Sequence, residues 1–134
     1  MDQILHSKLE KTDSIYKDKH FVVRSETNEF TAVCPISGMP DIYDLSIQYV
    51  PKDSLVELKS LKFYLFQYRN VGMFVEHITN KIADDFYKVI EPHFVLVEIV
   101  QAIRGGIRTI VKVSRGSMPE KDNQFVETGF DTME

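Results

Sequence analysis

The side chains best able to do chemistry in this sequence are one thiol and a small set of charges. Cys34 is the only cysteine among 134 residues, which excludes an intrachain disulfide and leaves a free thiol, as expected in a reducing compartment. It heads the segment Cys34-Pro35-Ile36-Ser37-Gly38-Met39-Pro40-Asp41, so a carboxylate follows the thiol at a spacing of seven. An unperturbed thiol, with a pKa of about 8.5, is only a few per cent thiolate at neutral pH, so a nucleophilic role needs surroundings that favour the anion. The plainer alternatives are a buried structural cysteine and a turn closed by Asp41. A second cluster is Glu57-Leu58-Lys59-Ser60-Leu61-Lys62-Phe63-Tyr64. Lys59 and Lys62, three apart, share a helix face, so two ammonium groups can reach one anion, for which a nucleotide diphosphate is a natural candidate. The alternative there is a solvated face whose start is set by Ser54-x-x-Glu57, the pattern of a capping box.

These groups must be positioned by elements that the hydrophobic pattern lays out. His20 to Arg24 and Phe30 to Cys34 read as strand on either side of the turn-prone Ser25 to Asn28, consistent with a strand broken by a bulge. Pro35, Gly38 and Pro40 then punctuate a loop that holds Cys34 and Asp41 at its two ends. Ile42 to Val50 reads as a second strand, with Ile42, Leu45, Ile47 and Tyr49 supplying its apolar surface, and Pro51 ends it. Leu58, Leu61 and Leu65 form one stripe of a first helix, about Ser54 to Tyr68. Phe74, Ile78, Ile82, Phe86 and Val89 form the stripe of a second, which Pro92 stops. Phe94 to Ala102 and Arg108 to Val113 read as two further strands joined through Arg104-Gly105-Gly106, where the glycines supply turn geometry. The expected order is ββααββ: an α+β fold with an antiparallel sheet and two helices on one face. Such a sheet has edges open to pairing with another chain, so oligomerisation is expected. Residues 1–19 are read as a mobile lead-in, 20–114 as the domain, and 115–134 as an acidic C-terminal tail.

Composition narrows the field. An apolar fraction of 43% and a charged fraction of 27% are ordinary for a single soluble globular domain. No apolar run approaches the roughly 20 residues of a membrane span, and the start lacks a signal-peptide pattern, so a cytoplasmic location is expected. A net charge of −4 argues against non-specific adhesion to nucleic acid. His6, His20, His77 and His93 are scattered without ligand spacing, so no metal site is expected.

The run Glu57 to Tyr64 resembles the signature of the 7-cyano-7-deazaguanine (preQ0) reductases, the nitrile reductases of queuosine biosynthesis, relatives of GTP cyclohydrolase I. The likeness extends upstream to Glu29-Phe30-Thr31-Ala32-Val33-Cys34-Pro35 through Asp41, which is similar to that family's nucleophile segment. Downstream, Tyr68-Arg69-Asn70, Phe74-Val75-Glu76, Thr79-Asn80 and Arg104-Gly105-Gly106-Ile107 fall in the family's order, so the resemblance covers Phe21 to Val113. It implies the tunnel fold, in which such sheets assemble into oligomeric barrels with active sites between subunits. A homo-oligomer is therefore expected, two stacked pentameric rings being the arrangement implied.

By the same resemblance Cys34 is the nucleophile that converts a nitrile to a covalent thioimide, and Asp41 protonates the nitrile nitrogen. Asp44 is a competitor without the seven-residue spacing. Glu76 reads the substrate base, since one carboxylate can accept two hydrogen bonds from a 2-amino and ring N–H edge. Val56, Glu57 and Leu58 complete the substrate pocket. Val75 stands where many relatives carry His, and His77 cannot replace it because a helix turns about 100° per residue. Reduction to an amine takes two NADPH. No Gly-x-Gly-x-x-Gly fingerprint occurs, so the cofactor is held otherwise than in a Rossmann domain: by Lys59, Lys62 and Arg104, with Leu58 and Gly105 lining its site and Arg108 a further candidate. The plainer alternative for Arg104 is a solvated hairpin charge, and for Gly105-Gly106 a turn. Two other functions fit parts of the pattern. An amidinotransferase adding ammonia to the nitrile of a preQ0-modified tRNA would use the same Cys34 and Asp41, but the retained cations favour reduction. A non-catalytic tunnel-fold protein would keep ligand binding when Cys34 is replaced by Ala.

Overall fold

Along Pro40–Val50 every second side chain from Asp41 to Tyr49 is buried, the period-two pattern of a strand with one covered face. Ile42 falls on the other parity and is exposed, so it adds nothing to the core that the sequence reading gave it. The computed structural model describes residues 7–119. In chain order these form β1 (Lys11–Asp13), β2 (Val23–Val33), β3 (Pro40–Val50), β4 (Ser54–Val56), α1 (Leu58–Phe66), a 3-10 turn (Gln67–Asn70), α2 (Val75–Ile90), β5 (Phe94–Arg104) and β6 (Ile107–Gly116). The four long strands make one antiparallel sheet in the order β2-β3-β5-β6. The expected ββααββ order therefore stands for this sheet, including the irregularity in β2, which falls between Thr27 and Phe30.

Both helical segments cover one face. From α2 the buried side chains are Val75, Ile78, Thr79, Ile82, Ala83, Phe86 and Ile90, a stripe at steps of three and four. They meet Tyr43, Leu45, Ile47 and Tyr49 of β3 and Val95, Val97 and Ile99 of β5 in one core. The Phe86 ring packs edge-on against Tyr49, with centroids 4.8 Å apart. Arg115 Nε of β6 reaches Asp84 Oδ1 of α2 at 2.8 Å, pinning the helix to the outer strand. Between the helical segments the hydroxyls of Tyr64 and Tyr68 lie 2.8 Å apart, and Tyr64 donates to Asp85, which also receives Lys81 Nζ at 3.2 Å.

The start of α1 differs from the expectation. Ser54 does not cap it; Ser54–Val56 is the short strand β4, paired with Lys11–Asp13. Glu57 is the capping residue, its Oε2 accepting from Lys59 N at 3.0 Å and its Oε1 from Ser60 N at 2.7 Å. A carboxylate has two acceptors for two orphan amides, and Ser54 lies too far back to reach them. The β1–β4 pairing was not foreseen, since three residues as polar as Lys11-Thr12-Asp13 carry no strand signal. What holds them is local: Glu57 N donates to Glu10 O at 2.9 Å, Glu10 N to Ser60 Oγ at 2.9 Å, and Leu9 is buried in the core. β6 runs on to Gly116, three residues past the expected end. The assigned ends of both terminal segments, 1–6 and 120–134, lie outside the described residues. No helix among the described residues is long and apolar enough to cross a membrane.

Candidate active site

The hairpin between β2 and β3 sets the thiol. Val33 pairs with Pro40 and Ala32 with Asp41, and the turn beyond is closed by Cys34 N to Met39 O and by Gly38 N to Cys34 O, both 2.9 Å. Asp41 and Tyr43, two apart on β3, share the helix-covered face. Cys34 lies just past the end of β2, in the turn, near enough for its thiol and the groups of Asp41 and Tyr43 to feel one another's charge. The spacing of seven is therefore a hairpin register.

The turn also tunes the thiol. The Ser37 hydroxyl, then the Ser37 amide, which donates to Cys34 Sγ at 3.5 Å, and the Ile36 amide hold the Cys34 pKa below the ordinary thiol value; burial and the charge of Asp41 oppose them. Hydrogen bonds to sulfur favour the thiolate, which is the nucleophilic form. Asp41 is buried, with 6% exposure, and both its oxygens are engaged. Arg104 Nη1 pairs with Oδ1, and the Tyr43 hydroxyl donates to Oδ2 at 3.4 Å. Burial, then the charge and hydrogen bond of Asp41, push the Tyr43 pKa well above its ordinary value, so the phenol keeps its proton and remains a donor.

Arg104 reaches Asp41 from the β5–β6 hairpin, where Gly105 and Gly106 both take positive φ, 57° and 81°, as a two-residue hairpin turn requires. The expected hairpin is thus present. The arginine, however, lies against the carboxylate of the thiol's own end and is half exposed beyond it.

The remaining residues are distributed as follows. Val33 N donates to Val71 O at 3.0 Å and Val33 O accepts from Met73 N at 3.3 Å, which ties the segment leading into α2 to the residue beside Cys34. Glu76, in the first turn of α2, is exposed there, where the positive end of the helix dipole favours a carboxylate. Val75 points the other way, into the core, and His77 is exposed with its ring 6.1 Å from that of Phe74. Val56 is buried, its amide donating to Tyr49 Oη at 3.0 Å. Glu57 is committed to its cap. Leu58, Lys59 and Lys62 are exposed along α1, and Leu58 and Lys62 border a cavity of about 490 Å3 between α1 and β2. That cavity contains neither Cys34 nor Asp41, Glu76, Arg104 or Gly105. Within one chain, then, the thiol end and the lysine face are two places. Arg108 borders a separate, polar concavity with Asp44 and Glu98 on the uncovered face of the sheet.

Two residues of the thiol end escaped the sequence reading. Ser37 follows Cys34 by three, the spacing of a turn that returns its amide to the first residue. Tyr43 follows Asp41 by two and so had to share its face; the alternation of the strand carried that signal. Among the described residues no three His, Cys, Asp or Glu side chains gather to hold a metal ion.

Comparison with known proteins places this geometry. Residues 40–120 match the family model described as QueF-like protein; Asp41, the α1 cluster, Glu76 and Arg104 fall within the match and Cys34 precedes it. The chain is 51% identical over 96 residues to the NADPH-dependent 7-cyano-7-deazaguanine reductase of Caldicellulosiruptor bescii, covering 72% of this chain and 73% of that one. To the proteins of the same name from Chlorobium chlorochromatii and Chlorobaculum tepidum it is 44% and 40% identical, over 78% and 84% of this chain and 90% and 96% of theirs. Among solved structures, the archaeosine synthase QueF-Like in the apo form superimposes with a TM-score of 0.67 at 23% identity, over 73% of this chain and 96% of that one, a likeness of fold.

Proposed function

The chain belongs to the QueF-like protein family, and we propose that it is an NADPH-dependent 7-cyano-7-deazaguanine reductase, an enzyme that converts the nitrile of its substrate to an aminomethyl group for queuosine synthesis. The observation that carries the reading is the Cys34–Asp41 hairpin end: a thiol with a lowered pKa, within electrostatic reach of a buried carboxylate, in a chain so similar to reductases.

The chemistry follows from these groups. The Cys34 thiolate adds to the nitrile carbon, the nitrogen takes a proton, and a covalent thioimide forms. Asp41 is the proton donor on our reading. When Arg104 turns away from Oδ1, that oxygen is open to accept the proton that the Cys34 thiol loses and to pass it to the nitrile nitrogen as the sulfur adds. The arginine is exposed enough to turn outward towards a phosphate, the contact first expected of it. Tyr43, still protonated, holds Oδ2 while this happens. Glu76 reads the 2-amino and ring N–H edge of the base. Val56 and Val75 support the pocket from the core, and Glu57 holds the start of α1 in register so that Leu58 can face the substrate.

The residues present fit a dinucleotide phosphate: Lys59 and Lys62 stand exposed on one face with no carboxylate partner among the described residues. When bound, NADPH supplies hydride, twice for each nitrile reduced; with two protons this balances the conversion of C≡N to CH2–NH2. Lys59, Lys62 and, once released, Arg104 bind its phosphates, and Leu58 and Gly105 line the site. Because Lys59 and Lys62 lie apart from the thiol in one chain while Arg104 lies beside it, the site is completed by a second copy. Supporting this are the outer edges of β2 and β6, which among the described residues carry no strand partner beyond the single bridge at Val33, and the exposed Ile36, Met39, Ile42, Ile103 and Ile107 near the thiol end.

The test is steady-state turnover of the purified protein with 7-cyano-7-deazaguanine. The expected result is NADPH oxidation dependent on the nitrile, with two cofactors consumed per aminomethyl product. Nitrile consumed only when ammonia is added, with NADPH untouched, would support amidine formation instead.

A further inference from the structure

The face of α1 that carries Lys62 does not end with the helix. The 3-10 turn Gln67–Asn70 continues it, so that Leu58, Lys62, Phe66 and Arg69, at steps of four, four and three, all border the cavity of about 490 Å3 between α1 and β2. A volume of this order suits a small-molecule ligand. Its floor includes Leu45, Ile47 and Leu61, and its rim carries the cations Lys62 and Arg69 with the carboxylates Glu26 and Glu29. Glu26 is already paired with Arg24. Neither Lys62 nor Arg69 has a carboxylate partner among the described residues.

Arg69 is held by other means. Its guanidinium lies over the Phe66 ring, 4.7 Å from the centroid, which fixes a long side chain while leaving its N–H groups to bond elsewhere. Four residues at about 1.5 Å each and three of the 3-10 turn at about 2 Å each put Lys62 and Arg69 roughly 12 Å apart along the axis. Two cations so spaced beside an apolar floor suit a ligand whose two anions flank a sugar that carries a flat ring onto the floor.

We propose that this cavity takes the adenosine end of the dinucleotide, and that Arg69 reads its 2′-phosphate and so sets the preference for the phosphorylated cofactor. The inference rests on the reductase reading. The adenine covers the apolar floor, Lys62 meets the diphosphate together with Lys59, and Arg69 forms a forked pair with the phosphate on the ribose. Glu29 is an acceptor for ribose hydroxyls.

Binding can be measured apart from turnover by calorimetric titration with adenosine 2′,5′-bisphosphate and with ADP, which carry no nicotinamide and differ in the 2′-phosphate. The wild-type protein is expected to bind the bisphosphate more tightly. Arg69→Gln should weaken that binding by about tenfold or more while leaving ADP unchanged, and Arg69→Lys should restore part of the loss. Retained ADP binding reports that each variant is folded. An unchanged preference in Arg69→Gln, or no preference in the wild type, would overturn the proposal. Adduct formation between the nitrile substrate and Cys34 needs no cofactor, so its failure would count against the reductase reading and its success would isolate a failure at Arg69.

Discussion

The reactivity of Cys34 depends on three neighbours that push in different directions. Ser37 and the Ile36 amide stabilise the thiolate; the charge of Asp41 works against it. The sign follows: a thiol with a lowered pKa becomes nucleophilic at a lower pH than a free cysteine. Alkylation of Cys34 by iodoacetamide, followed by intact mass as a function of pH, should reach half its maximal rate below the ordinary thiol value of about 8.5. Ser37→Ala removes the hydroxyl, the largest stabilising influence, and should move the midpoint upward and slow alkylation at pH 7 several-fold. A midpoint unmoved by Ser37→Ala would remove the turn from the account. The pair Cys34 and Asp41 was legible in the sequence as a spacing. The tuning was not, because it depends on amides and a hydroxyl that converge only once the six-residue loop closes. Arg104 was legible as a cation at a glycine hairpin, but its partner Asp41 lies 63 positions away, and no local pattern reports such a contact.

Element by element, the site rests on where α1 begins and what α2 buries. Glu57→Ala should cost about 1 kcal/mol by leaving two amides of the first turn without acceptors. Its effect should extend to cofactor affinity, since Lys59 and Lys62 lie in the turns it fixes. Chemical denaturation and NADPH titration together would check this; an unchanged midpoint would contradict the cap. Phe86 is fully buried against Tyr49, and Phe86→Ala should cost about 3–5 kcal/mol in the same denaturation experiment. The apolar stripe of α2 was plain from the spacing of Ile78, Ile82 and Phe86, because a core helix repeats its signal turn after turn; Phe74, expected in the same stripe, is instead the exposed residue before the helix, and Val75 is buried in its place. The capping box at Ser54 was misleading. Its residue types were right, but β4 claims Ser54 through a strand pairing with β1 that the polar sequence of Lys11–Asp13 does not announce.

For the whole molecule the question is what completes a site whose parts lie at separate places in one chain. The order of the four long strands and two helices along the chain could be read from the alternation of strand and helix patterns; the order of the strands within the sheet could not. The separation of the thiol end from the lysine face could not, since periodicity assigns faces and says nothing about distances between them. Assembly through the free edges of β2 and β6 predicts that sedimentation equilibrium gives a mass several times that of the chain. Ile103→Lys, which puts a charge on the exposed apolar end, should shift the population to smaller species with a parallel loss of turnover. A fully active monomer would contradict it. The most direct test of the central claim is the intact mass of the protein after incubation with 7-cyano-7-deazaguanine, before and after NADPH is added. The account predicts a gain equal to one substrate on Cys34, absent in Cys34→Ala, that disappears with NADPH as amine is released. No mass gain on the wild-type protein would contradict it.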